Sequence, residues 1–131
     1  MILGAQLYTV REFTQDEVGF EASMEKIAAM GYPSVQVSAV GPIPPERIRA
    51  ICDRYGLAIA VTHTPQDRIR NETERVIEEH RILGARHIGI GSMPQKYRNG
   101  PEGVDRFIRD YTPAAEKIAA AGLKLHYHNH D

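Results

Sequence analysis

The sequence predicts an α/β protein built on a parallel sheet, and three observations carry that prediction. A junction of helix end, glycine and strand occurs four times along the chain. The segments leading into these junctions place apolar residues at helical spacing. The strand segments are short apolar runs such as "LAIAV", as expected where helices cover a parallel sheet. "EKIAAMGYPSVQV" (25–37) and "EKIAAAGLKLHYH" (116–128) match closely, and "ICDRYGLAIAVTH" (51–63) and "EHRILGARHIGIG" (79–91) share their shape. Gly31, Gly56, Gly84 and Gly122 stand where a helix wants a left-handed C-terminal residue. They lie 25, 28 and 38 residues apart, the size of a βα unit.

The elements follow in order. Strands are predicted over 3–9, 34–39, 57–63, 86–91 and 123–130. The first helix buries Phe20, Met24, Ile27 and Ala28. The second buries Ile48, Ile51, Cys52 and Tyr55 at i, i+3, i+4, i+7, and Pro44 and Pro45 suit its opening, where amides lack intrahelical partners. Asp67 opens the third, whose apolar positions are Ile69, Val76, Ile77 and Leu83. The fourth carries Val104, Phe107, Ile108, Ile118 and Ala119, with Pro113 expected to kink or divide it. Five parallel strands and four helices thus alternate, with right-handed crossovers. No "GxGxxG" or "GxxxxGK[ST]" follows any strand, which leaves a barrel or a doubly wound sheet without those fingerprints.

Length and charge narrow the class. A chain of 131 residues, 42% apolar and 25% charged, suits one globular domain with a real core. A net charge of -1 gives no electrostatic footprint for nucleic acid or an anionic membrane. No apolar run is long enough to span a bilayer, and Met1 leads into strand-like sequence without a signal peptide's regions. The single cysteine, Cys52, excludes an intramolecular disulfide and fits a cytoplasmic location; on an apolar helix face it reads as a small buried residue.

In chain order, "GAQLYTVRE", "MGYPSVQVS", "GLAIAVTHT" and "AGLKLHYHNHD" resemble the sugar phosphate isomerase/epimerase superfamily of xylose isomerase-like barrels. "QLYTVR" and "YHNHD" are the most specific pieces. The resemblance implies a (β/α)8 TIM barrel of which residues 1–131 form the N-terminal part, about half a barrel in a single domain. It also implies a carbohydrate substrate and a divalent metal (manganese, zinc, cobalt or magnesium), with further ligands on strands six to eight.

Chemistry in such barrels gathers at the C-terminal ends of the strands. Gln6 and Tyr8 stand near the end of strand one, Gln36 and Ser38 at strand two, and His63 at strand three. Relatives often carry a carboxylate at the second position, so this sequence departs from them there. In "LKLHYHNHD", alternation puts His126, His128 and His130 on the lumen face and Leu125, Tyr127 and Asn129 on the other. Some relatives have Glu-x-His here. On that register His128 takes the place of the metal carboxylate and His130 keeps the proton-transfer role. In other relatives the metal carboxylate falls just past Asp131, which moves His128 behind the ligands. Gln6, Tyr8, Gln36 and His63 are then expected to contact substrate. His126 reads as packing, and His80 and His87 receive no role. "SMPQKYRNGPEG" after strand four reads as a mobile loop, whose Lys96 and Arg98 are solvated unless they meet a phosphate or sugar hydroxyl. Arg68, Arg70 and Arg75, interleaved with Glu72, Glu74, Glu78 and Glu79, read as a solvated helix face.

The expected activity is isomerisation or epimerisation of a sugar by metal-assisted proton transfer next to a carbonyl. An inosose-type polyol dehydratase shares the first step and is the close alternative. Another is a catalytically inactive half-barrel that self-assembles as a homodimer, because open sheet edges invite pairing. DNA repair on the same barrel is disfavoured, since "GIGSMP" supplies no histidine at strand four. No nucleic-acid or membrane partner is expected.

Overall fold

The computed structural model describes residues 3–130, so Asp131 lies outside the described residues. Five parallel strands pair in the order of the chain: β1 (Gly4–Gln6), β2 (Ser34–Val37), β3 (Ala58–His63), β4 (His87–Ile90) and β5 (Lys124–Tyr127). A doubly wound sheet reverses its strand order at a switch point; this one never does, so it is the wall of a barrel. Helices α1 (Glu17–Ala29), α2 (Pro45–Arg54), α3 (Gln66–Asn71), α4 (Thr73–Leu83) and α5 (Pro101–Ala120) connect the strands. The four glycines expected to close helices all have positive φ.

Three expectations need correction. The first strand stops at Gln6, and Leu7–Phe13 winds into 3-10 turns that bury Leu7. The third helix is two, α3 and α4, because Glu72 leaves helical geometry at φ -128°. Among the described residues that makes five α-helices rather than four. Pro113 does not divide α5. Tyr111 and Phe107 before it and Ala114 and Ile118 after it are buried on one face, and that shared burial outweighs one lost backbone hydrogen bond.

The core lies between the sheet and its helices. One cluster joins α1 and α2 to β1–β3 through Phe20, Met24, Ile51 and Val35; another joins α3–α5 to β4 and β5 through Ile69, Val76, Ile88 and Ile118. Cys52 is buried in the first, and burial pushes its thiol up to about 12, so it is an inert core residue. Among the described residues no helix is long and apolar enough to cross a membrane.

Alternation fixes which side chains look inward. On β4, Ile88 and Ile90 meet the helices, leaving His87 and Gly89 on the inner face. On β5, Leu125 and Tyr127 face the helix layer, Tyr127 5.8 Å from the Phe107 ring, so His126 faces in. On β3 the alternation is interrupted. Val35 pairs with Ile59 but Gln36 pairs with Val61, so Ala60 is an inserted bulge residue. Ile59 lies in the helix-side core and Thr62 reaches His80 on α4. The bulge thereby turns His63 onto the inner face.

Candidate active site

At the C-terminal ends of the strands lies a cleft of about 510 Å³, whose lining includes Gln6, Tyr8, Ser38, His63, His128 and His130. The structure thus brings together five of the six residues that the sequence reading gave a role, with Ser38 beside them. Gln36 is the exception: it pairs with Gln6 in register and stands level with it, but Ser38 lines the cleft from that strand. Tyr8 reaches the cleft from the 3-10 turn, half exposed, with the Arg11 guanidinium 4.4 Å from its ring centre. A larger depression of about 700 Å³ lies along β1 and α1, against Phe13, Ile27 and Met30, and gathers none of the histidines.

His63 is the centre of the cleft's polar contacts. Ser38 Oγ lies 3.3 Å from its Nδ1, and its Nε2 lies 3.2 Å from His128 Nδ1. Partial burial, then the neighbouring His128 and His130, hold His63 below the ordinary imidazole value. Two glycines make its seat: an added Cβ at Gly89 or Gly91 would come within 3.0 Å of the His63 ring. The chain keeps sheet pairing past the end of β5, where the His128 N–H donates to the Ile90 carbonyl at 2.9 Å. His128 and His130 therefore stay on one face and stack, ring centres 4.7 Å apart and planes 18° off parallel. His130 Nε2–H donates to the Gly91 carbonyl at 2.7 Å. A carbonyl can only accept, so the neutral ring carries its lone pair on Nδ1.

Sequence reading missed two features here. Ala39, beside the cleft, has φ 53°, a conformation rare for a side chain with a Cβ, and its carbonyl accepts from Gln15 Nε2 at 2.9 Å. His80 is buried, its Nε2 2.7 Å from the Thr62 hydroxyl. Its place on the Val76, Ile77, Leu83 stripe was the available signal. The loop expected to be mobile is pinned instead: Tyr97 is buried and donates to Asp110, Arg98 donates to the Met93 carbonyl, and Arg106 reaches Lys96 and Asn99. Arg68 and Arg75 pair with Glu72 and Glu79 on the outer face, as a solvated ion-pair network would.

The metal expectation has a weaker footing. Among the described residues, no group of three or more His, Cys, Asp or Glu is arranged to hold a metal ion. The cleft lining offers imidazoles but no carboxylate, so its residues do not by themselves complete a divalent centre, although single imidazoles suit such a metal as ligands.

No protein-family model and no curated protein matches the chain. Solved structures do. A sugar phosphate isomerase/epimerase from Parabacteroides distasonis superposes with a TM-score of 0.79 at 21% identity, over 98% of this chain and 51% of that one. A D-allulose 3-epimerase from Methylomonas sp. gives 0.69 at 12%, over 97% and 51%. An AP endonuclease of family 2 from Brucella melitensis gives 0.70 at 17%, over 97% and 55%. The fold is that of half a TIM barrel. The chain spans about half the length of the solved structures it matches. Those structures are named for different chemistries on one fold, so the fold alone assigns none of them to this chain.

Proposed function

We propose that this cleft is part of a carbohydrate site that moves a proton on the carbon next to a carbonyl, as a sugar isomerase or epimerase does. The supporting observation is His130, whose Nε2–H is committed to Gly91 so that Nδ1 is the basic atom. The substrate's C–H proton passes to Nδ1, and the resulting imidazolium returns it to the adjacent carbon or the opposite face. Gln6, Tyr8 and His63 supply amide, phenol and imidazole groups that suit a polyhydroxy ligand, and Gln36, level with Gln6 on the neighbouring strand, offers a second amide beside them. A divalent metal completed by further ligands would polarise the carbonyl oxygen. His128 is our candidate for one of its ligands, and no step is assigned through it. Loss of a hydroxyl after the same proton removal would give the polyol dehydratase reaction.

The test is hydrogen exchange in D2O, following the carbon-bound proton of D-fructose by NMR with manganese added. Exchange is expected in the parent chain and a loss of about 10²-fold or more in His130→Ala. No exchange in the parent, or equal exchange in the variant, would overturn the reading.

A specific observation favours self-assembly beside it. Ile108 and Val104 on α5 and Tyr127 on β5 leave apolar surface on one flank, and Phe13 and Met30 leave it on the other; Phe13 is 66% exposed and Ile108 58%. A homodimer that pairs these flanks is the expected species in sedimentation. Ile108→Glu should return it to monomer. A parent chain that stays monomeric at high concentration would remove this reading and leave the first intact.

A further inference from the structure

Deeper in the inner face, away from the cleft lining, stands a second pair of imidazoles. His87 opens β4 and His126 is the third residue of β5. Register sets His126 opposite Gly89 and His87 opposite Lys124, so the two histidines are diagonal neighbours across parallel strands. Such a diagonal closes only if the residue beside it is small. Gly89 has no side chain, and His126 leans across it until its Nε2 lies 2.7 Å from His87 Nδ1. The ring centres are 4.9 Å apart and the planes tilted by 35°. Neither residue belongs to a core cluster, and His126 is exposed to solvent. Burial, then His126, Lys124 and Arg86, keep His87 below the ordinary imidazole value, so its lone pairs are available near neutrality.

We propose that His87 and His126 form a bidentate site for an imidazole-preferring divalent transition metal, distinct from the histidines of the cleft. Two cis nitrogens about 2.0 Å from a cation lie roughly 2.9–3.3 Å apart, so the observed spacing needs only a slight opening. The cation accepts lone pairs from His87 Nδ1 and His126 Nε2. The proton now between them moves by way of solvent to the far nitrogen of its own ring, and none is released. Water completes the coordination, since among the described residues no third His, Cys, Asp or Glu converges there. Lys124 and Arg86 oppose a dication, which selects copper(II), the strongest imidazole binder of the first-row series, as the probe.

The experiment uses the full chain carrying His63→Ala, His128→Ala and His130→Ala together, which removes the cleft imidazoles. Equilibrium dialysis against copper(II) is expected to give one equivalent, and electron paramagnetic resonance a signal with two nitrogen ligands. Adding His87→Ala or His126→Ala is expected to abolish it, with circular dichroism confirming the fold. Absence of copper from the triple variant would overturn the proposal before any fourth substitution is made. So would a signal that survives loss of His87 and His126.

Discussion

Replacing Gly89 by alanine is expected to unseat His63 and to destabilise the chain by about 1–3 kcal/mol. The new Cβ would stand 2.6 Å from the Thr62 carbonyl oxygen and 2.9 Å from His63 Cδ2. The first contact is with backbone of the neighbouring strand, to which Gly89 is paired through His63, so the ladder itself must shift. The second is with the imidazole, which can rotate only by leaving Ser38 and His128. Gly91→Ala separates these effects. Its three nearest atoms all belong to His63, the closest at 3.0 Å, so the ring moves while the backbone stays. Urea denaturation should therefore show a clear loss for Gly89→Ala and a change within about 0.5 kcal/mol for Gly91→Ala. Imidazole NMR should show His63 disturbed in both. Equal losses of stability would mean that the side-chain seat, rather than strand pairing, limits this position.

What the sequence made legible was local. A glycine after an apolar helical stripe reports a C-cap without any knowledge of the partner strand, and the parallel order follows from repeating that unit. The features that escaped depend on pairing or packing between elements. His63 points inward because Ala60 is inserted against β2, and a bulge leaves no mark in "LAIAVTH". The alternation of "GAQLYTVRE" suits a strand, yet Leu7 is drawn into the core at the start of the 3-10 turn. The division between α3 and α4 had a faint signal in Asn71 and Thr73, poor residues for a helix interior; the Thr73 hydroxyl donates to the Ile69 carbonyl at 2.8 Å. In the cleft, the strand-end rule found Gln6, Tyr8, His63, His128 and His130, because position along a strand is readable from spacing. Which atom of His130 is basic depends on a carbonyl 39 residues away.

His80 is expected to dominate the dependence of stability on mildly acidic pH. It is 2% exposed, its Nδ1–H donates to the Val76 carbonyl at 2.7 Å, and its Nε2 accepts from the Thr62 hydroxyl at 2.7 Å. Thr62 has then spent its proton, so the 3.0 Å contact with Thr64 is donated by Thr64. This chain of bonds requires the neutral ring. Burial lowers the His80 pKa most; the Val76 carbonyl and Glu79 oppose that, and Arg68 reinforces it. A folded-state pKa below the ordinary value of 6.5 means that the unfolded chain takes up the proton first. Stability is therefore full above about pH 6.5 and falls as pH drops from there toward the lowered folded value. The lowered carboxylates of Glu17, Glu74 and Asp110 act in a separate window, below the ordinary carboxylate range. Thermal melts should show a level Tm between pH 7 and 8 and a decline between pH 6.5 and 5. His80→Gln removes the titrating ring, so its decline should be shallower, the remainder coming from His63 and His87, whose shifts have the same sign. Thr62→Val tests the bonding independently: it strips the donor from buried Nε2 and should cost about 1–3 kcal/mol at pH 8. A parent Tm that is level down to pH 5, or an undiminished slope in His80→Gln, would show that the neutral buried ring is not what acid attacks.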